Sequence, residues 1–375
     1  MRHIRMVFFL ALVCIYSCAP VQNSRNTTNP PIDFSSLDSV ALSYVDSLKN
    51  SALSIGIVYN NQIVYTKGFG LADKKNKVPA TSKTVYQVGS ITKTFVGNLY
   101  ARLAVSDQLN LSDKVNDYLQ GARFPADSLG QEIAIINLLS HTAGLPPYPE
   151  NLNRTDGEPI SGYSSQQLLQ AIATTKLQGQ VGRKWSYSNF GYGVLGSYLE
   201  TRFNKSLGQL LREKIFRPLR MNASTLSLSE VNTKQLAIPY TEGDAYTATR
   251  PWNMEALSGA GNMFSTVEDV SRFLLYQMAA DTAARLQQTG VINSSAAVKY
   301  GLGCFLGYSP AKQSRTIFHG GDMDGYITDF AIYPDYKLGY IIMTNHGRNS
   351  EFRKASQAIN ATISRIIADY KARNR

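Results

Sequence analysis

Gly89-Ser90-Ile91-Thr92-Lys93-Thr94-Phe95-Val96-Gly97-Asn98-Leu99-Tyr100-Ala101-Arg102-Leu103 reads as a helix that sets a hydroxyl and an amine on one face. Residues three apart on a helix project together, so Ser90 Oγ and the Lys93 amine come within hydrogen-bond reach, a nucleophile beside a base. Phe95, Val96, Leu99 and Leu103 recur at helical spacing, and Gly89 suits a chain entering the first turn. Ser90 then sits at the helix N-terminus, where its own backbone N–H is free to donate to a developing oxyanion. Ser-x-x-Lys alone is a cheap pattern, and the alternative is a capping serine with an exposed lysine. A second copy, Ser309-Pro310-Ala311-Lys312, lies in a polar run and reads as a loop between strands.

Working outward from this helix, the chain of 375 residues, 43% hydrophobic, is long enough for one large domain or two closely joined layers. Residues 1–17 read as a signal peptide: Arg2 and Arg5 precede an apolar run too short to span a bilayer. Ile15-Tyr16-Ser17-Cys18 resembles a lipobox with Cys18 as lipid acceptor, although Tyr16 is large for that place and ordinary cleavage near Ser17 is the alternative. Residues 18–36, rich in Asn, Pro, Ser and Thr, read as a flexible tether, and the folded part is expected from about residue 37 to 375. The expected setting is a bacterial cell envelope, as a membrane-anchored lipoprotein or a periplasmic protein. With Cys14 in the signal and Cys18 acylated, Cys304 has no disulfide partner.

The formal charge of +11 fits solubility beside an anionic surface, and no nucleic-acid-binding signature accompanies it. His3, His141, His319 and His346 do not pair at ligand spacing, so neither a metal site nor another cofactor is expected. Oligomeric state is not legible. Residues 52–59 and 63–69, split by Asn60-Asn61-Gln62, predict a β-hairpin. Helices dominate from Ser90 to about residue 222, with one beginning near 194–198. Strands are expected again near 300–306, 316–319, 327–333 and 339–344, and an amphipathic helix at 348–375, with Phe352, Ala355, Ile359, Ile363, Ile366 and Ile367 on one side. Strands at both ends with helices between give an α+β fold: one antiparallel sheet from N- and C-terminal segments, flanked by helices and carrying a helical subdomain.

Two further motifs bear on chemistry. In Tyr187-Ser188-Asn189 a tyrosine near a lysine ammonium has its pKa lowered and trades protons with the serine, while the asparagine binds an amide and orients the lysine. The alternative is a packed loop aromatic. In Phe318-His319-Gly320-Gly321-Asp322, two glycines at a strand end let the backbone approach a ligand, and the Asp322 N–H faces an oxyanion; the alternative is a tight turn with a surface histidine.

In this order the motifs resemble those of the serine β-lactamase and penicillin-binding-protein superfamily, in the branch of class C β-lactamases and their esterase and D-aminopeptidase relatives. Lys67-Gly68-Phe69-Gly70-Leu71-Ala72-Asp73, Leu138-Leu139-Ser140-His141-Thr142-Ala143-Gly144-Leu145-Pro146, Ile215-Phe216-Arg217-Pro218-Leu219, Gly259-Ala260-Gly261-Asn262-Met263-Phe264-Ser265-Thr266 and Tyr300-Gly301-Leu302-Gly303 are similar to further segments of that family. The resemblance implies the β-lactamase/transpeptidase-like fold and an exported serine hydrolase acting on esters, D-amino-acid peptides or β-lactams, with a peptidoglycan-derived or small-molecule substrate. It implies Ser90 as nucleophile, Lys93 as its activator and Tyr187 as the base that also returns a proton. It further implies Asn189 against the substrate amide, Gly321 and Asp322 in the oxyanion strand, His319 lining the pocket, and His141 as structural. Relatives carry a lysine at His319; an imidazole, mostly neutral at pH 7 and charged only below about pH 6, attracts a substrate carboxylate less. That favours an esterase or peptidase over an efficient β-lactamase; the alternative is a family variant in which His319 still hydrogen-bonds the carboxylate. A non-catalytic peptidoglycan-binding member of the fold is the rival, and intact Ser90, Lys93 and Tyr187 count against it.

Overall fold

The computed structural model describes residues 32–153, 159–241, 247–279, 281–347 and 350–373. The signal at 1–17, Cys18 and most of the tether lie outside the described residues. Helix α1 (Ser35–Ser47) places Leu37, Ala41, Tyr44 and Val45 on one buried face, and Phe34 before it is also buried. The described fold takes in residues 34–36, which composition alone assigns to the tether, because Phe34 packs on Tyr65.

Two strands follow, β1 (Leu53–Tyr59) and β2 (Gln62–Phe69). Asn60 and Asn61 between them both have positive φ, 47° and 62°, and pair Tyr59 with Gln62 across a two-residue turn of the hand that suits strand twist. The remaining strands of the main sheet come from the C-terminal third: β3 (Ile292–Asn293), β4 (Lys299–Tyr300), β5 (Phe305–Ser309), β6 (Ser314–Met323), β7 (Tyr326–Tyr333) and β8 (Leu338–Thr344). They join the hairpin in one antiparallel sheet ordered β2-β1-β8-β7-β6-β5-β4-β3. Leu53 faces Thr344 and Tyr59 faces Leu338, so the N-terminal hairpin joins the sheet by pairing β1 with β8. β1 and β8 are buried along almost their whole length, and their near-continuous apolar sequences match burial on both faces.

On one face lie α1 and the C-terminal helix α5 (Ser350–Arg373), which buries Phe352, Ala355, Ile359, Ile363, Ile366 and Ile367 against the sheet as its periodicity predicts. Each such side chain contributes about 1.5–3 kcal/mol. On the other face lie α2 (Thr92–Val105), α3 (Asn189–Phe203) and α4 (Val267–Met278). α3 is buried on every side at its N-terminal half, which makes it the centre of the helical layer.

Two expectations change. The strand expected at 300–306 is broken, because residues 301–304 turn inward: Thr94 Oγ1 donates to the Gly303 carbonyl (2.8 Å) and Gln287 Nε2 to that of Leu302 (3.1 Å). The helix expected near 194–198 begins at Asn189, capped by Ser188 Oγ accepting from the Gly191 N–H at 3.1 Å.

Candidate active site

Val88 and Gly89 lead into a 3₁₀ turn, Gly89–Ile91, that continues directly as α2. Thr92 Oγ1 fixes the turn by donating to the Gly89 carbonyl (2.7 Å) and accepting from the Met263 N–H (3.1 Å). Ser90 is thereby held half-exposed at the helix start, while Lys93, one turn on, is wholly buried.

Lys93 Nζ lies 3.1 Å from Ser90 Oγ, 2.7 Å from Asn189 Oδ1 and 2.5 Å from the Ala260 carbonyl oxygen. The Tyr187 hydroxyl lies 2.8 Å from Ser90 Oγ, and Lys93 Nζ sits 4.8 Å from the centre of the Tyr187 ring. Ser90, Lys93, Tyr187 and Asn189, widely separated in sequence, are thus one cluster. Burial pushes the Lys93 amine well below its ordinary pKa of 10.5. Burial also raises Tyr187 above its ordinary 10.0, with the Ser90 hydrogen bond acting the other way. The expected lowering of the Tyr187 pKa does not occur, because desolvation of the phenolate outweighs any help from Lys93.

The His141-Thr142-Ala143-Gly144-Leu145-Pro146 segment supports this cluster from below. Ser188 N–H donates to His141 Nδ1 (3.0 Å), Ser188 Oγ to the Pro146 carbonyl (2.7 Å), and Asn189 N–H to that of Pro147 (2.8 Å). The His141 ring lies 4.4 Å from that of Tyr187.

β6 forms the opposite wall. Gly320 and Gly321 lie within the strand, paired with Asp329 and Thr328 of β7, and not at a strand end as expected. The reason is close approach: a β-carbon at Gly321 would stand 2.0 Å from the Val88 carbonyl oxygen and 2.4 Å from Thr328 Oγ1. A β-carbon at Gly89 would stand 3.0 Å from the Asp322 amide nitrogen, so the Ser90 turn and the Asp322 backbone are neighbours. His319 is buried, not a surface residue, and Phe305, Tyr187 and Tyr300 ring it at 5.2, 6.4 and 6.3 Å. Burial, with Lys93 adding a smaller effect, lowers His319 to about 3, so it stays neutral well below the pH of 6 at which sequence alone places its charging.

Ser309 ends β5, and Lys312 lies in the turn before β6, where its ammonium caps the Tyr333 ring at 4.3 Å. Residues that sequence reasoning left without a role are Tyr300, whose hydroxyl touches both His141 and His319, and Ala260, whose carbonyl accepts from Lys93. No helix among the described residues is long and apolar enough to cross a membrane.

With this geometry in hand, comparison with known proteins is direct. The family model described as Beta-lactamase matches residues 37–363. The chain is 26% identical over 337 residues to protein flp of Staphylococcus aureus (strain MW2), covering 85% of this chain and 66% of that protein, just under two thirds of the relative's length. It is 25% identical over 382 residues to the D-alanyl-D-alanine-carboxypeptidase/endopeptidase AmpH of Escherichia coli (strain K12), covering 96% of this chain and 97% of the relative. The beta-lactamase/D-alanine carboxypeptidase from Pseudomonas syringae superposes with a TM-score of 0.75 at 19% identity, covering 87% of this chain and 99% of that one. The corresponding protein from Yersinia pestis, complexed with citrate, gives 0.73 at 23% identity, covering 88% and 99%. These two likenesses show the α+β fold.

Proposed function

The chain belongs to the beta-lactamase family, and on that premise we propose that it is an exported serine hydrolase that forms an acyl-enzyme on Ser90 and cleaves D-amino-acid peptides or esters in preference to β-lactams. The observation that carries this reading is the meeting of Lys93 Nζ and the Tyr187 hydroxyl on Ser90 Oγ, at 3.1 and 2.8 Å.

The contacts of Lys93 suggest how the proton moves. Neutral Lys93 has two N–H donors, and its two shorter contacts, to the Ala260 carbonyl and Asn189 Oδ1, use them. The lone pair is left for the Ser90 hydroxyl proton. Ser90 Oγ then attacks the substrate carbonyl as its proton passes to Lys93, and the new C–O bond leaves an oxyanion between the backbone N–H groups of Ser90 and Asp322. Tyr187, a phenol and not a phenolate, delivers a proton to the leaving atom as the scissile bond breaks, and Lys93 refills it. Water repeats the sequence to release the acyl group. Asn189 holds Lys93 in place and takes the substrate amide.

Substrate preference follows from His319. A neutral imidazole in place of a cation gives a free carboxylate little to bind; β-lactams and peptides ending in free D-alanine carry one, whereas esters and internal peptide bonds do not. The similarity to a carboxypeptidase/endopeptidase over nearly the whole length of both chains supports the peptide reading. Export and a lipid anchor at Cys18 are part of the same proposal, resting on residues 1–18 alone.

The test is a panel of D-alanine-terminated peptides, p-nitrophenyl esters and nitrocefin, with covalent labelling by a serine-directed acylating probe read by intact mass. Wild type is expected to turn over peptides or esters and to carry label on Ser90, and Ser90→Ala to do neither. Label retained in folded Ser90→Ala, or mapped to Ser309, overturns the assignment.

A further inference from the structure

A chain of hydrogen bonds runs from the Tyr187 loop to β6 and fixes the protons on two histidines. Ser188 N–H donates to His141 Nδ1 at 3.0 Å, so neutral His141 carries its proton on Nε2, which faces the Tyr300 hydroxyl at 3.2 Å. The same hydroxyl lies 3.4 Å from His319 Nε2. His319 Nδ1 lies 2.7 Å from the Gly320 carbonyl oxygen. A carbonyl only accepts, so the His319 proton is on Nδ1, and Nε2 of the neutral ring is bare. Tyr300 accepts from His141 and donates to His319, and both Tyr300 and His319 are buried. The ring therefore has no N–H left to offer a substrate. Lys93 has none either, since Ser90, Asn189 and Ala260 surround its amine.

We propose that Tyr300 is a positioning residue which, with the Gly320 carbonyl, locks His319 as a hydrogen-bond acceptor, and that the cleft therefore selects substrates whose leaving residue is amide- or ester-capped, or continues as peptide, over those ending in a free carboxylate. This rests on the acyl-enzyme reading of Ser90. A carboxylate oxygen brought to His319 finds no donor, since the Nδ1 proton is held by the Gly320 carbonyl and Nε2 accepts from Tyr300, and a buried charge without a donor is strongly disfavoured. A neutral amide or ester escapes that penalty. The preferred cleavage is then inside a chain and not at its terminal residue.

The test compares one acyl-D-alanyl-D-alanine peptide with its D-alaninamide counterpart at about pH 7. Wild type is expected to favour the amide in kcat/KM by at least about tenfold. His319→Lys reverses the order, and Tyr300→Phe narrows the ratio because His319 loses its donor and is free to take a proton; a purely structural loss would lower both substrates alike. Nitrogen-15 spectra of histidine-labelled protein should show His319 protonated at Nδ1. A wild-type preference for the free acid, equal rates for the pair, or a proton on His319 Nε2 overturns the proposal, and these arms stand even where Tyr300→Phe fails to fold. If neither peptide is cleaved and Ser90 takes no label, the hydrolase reading falls instead. The inference is then decided by calorimetry of the two peptides on Ser90→Ala, where tighter binding of the amide supports it and equal or tighter binding of the acid overturns it.

Discussion

Gly303 rests against the helix that carries the site: a β-carbon there would lie 2.2 Å from the Lys93 carbonyl oxygen, and its φ of +77° is one that side-chain-bearing residues rarely adopt. Gly303→Ala must therefore push α2 away from the 301–304 turn and also strain its own backbone. The expected cost is roughly 2 kcal/mol or more, with loss of Ser90 labelling at temperatures where wild type reacts. Unchanged urea denaturation together with unchanged labelling would mean that this contact yields freely.

Tyr187→Phe removes one hydroxyl and little shape. Turnover should fall about a hundredfold or more while the ascending limb of the pH profile stays where it is, because that limb belongs to Lys93. Near-normal turnover across the profile would move proton return to Lys93 alone.

Lys93 acts as a base only when neutral, so acylation should rise with pH through its folded-state pKa, which burial places well below 10.5. Lys93→Arg keeps a cation without a usable lone pair. It should lose about a thousandfold in acylation rate and also lose the ascending limb. Retention of that limb in Lys93→Arg would assign it to another group.

His319 is held at about 3 in the folded protein against about 6.5 when unfolded. The unfolded chain thus binds the extra proton first on acidification, so stability is full above about 6.5 and declines as pH falls toward 3. From about pH 7.5 to about pH 5 the loss due to this residue is about 2 kcal/mol. His141, also pushed well below its ordinary value by burial, acts in the same direction. His319→Gln should flatten the decline measured by urea denaturation, and an unchanged slope would show that His319 is not buried as a neutral ring.

Cys18→Ser tests the anchor. Wild type should partition with membranes and the variant should stay soluble or unprocessed. Equal membrane retention of a correctly cleaved variant excludes acylation at Cys18.

The parts of this molecule that were legible in sequence are those written in local pattern. The hairpin at Asn60-Asn61, the faces of α2 and α5, and the strands that became β6, β7 and β8 follow from period and turn chemistry, and the Ser90-Lys93 spacing needs only one helical turn. Tyr300 was not legible because it is one of 22 tyrosines, and nothing in its neighbourhood says that two histidines from distant segments will meet its hydroxyl. The broken strand after Tyr300 depends on the buried Gln287 and Thr94 drawing carbonyls inward. Protonation was illegible for a related reason. A tyrosine beside a lysine ammonium suggests an acidic phenol, and only the depth of the folded site reverses that direction.

The pairing of β1 with β8 also sets an order in time. Thr344 Oγ1 donates to the Ala52 carbonyl across a separation of 292 residues, so a chain made from its N-terminus must wait for β8 before the hairpin can join the rest of its sheet. Until then the hairpin has a bare edge. A nascent or truncated chain is therefore not a weaker version of the finished one. The Ser90 turn gains the wall beside Gly89 only once β6 has been made.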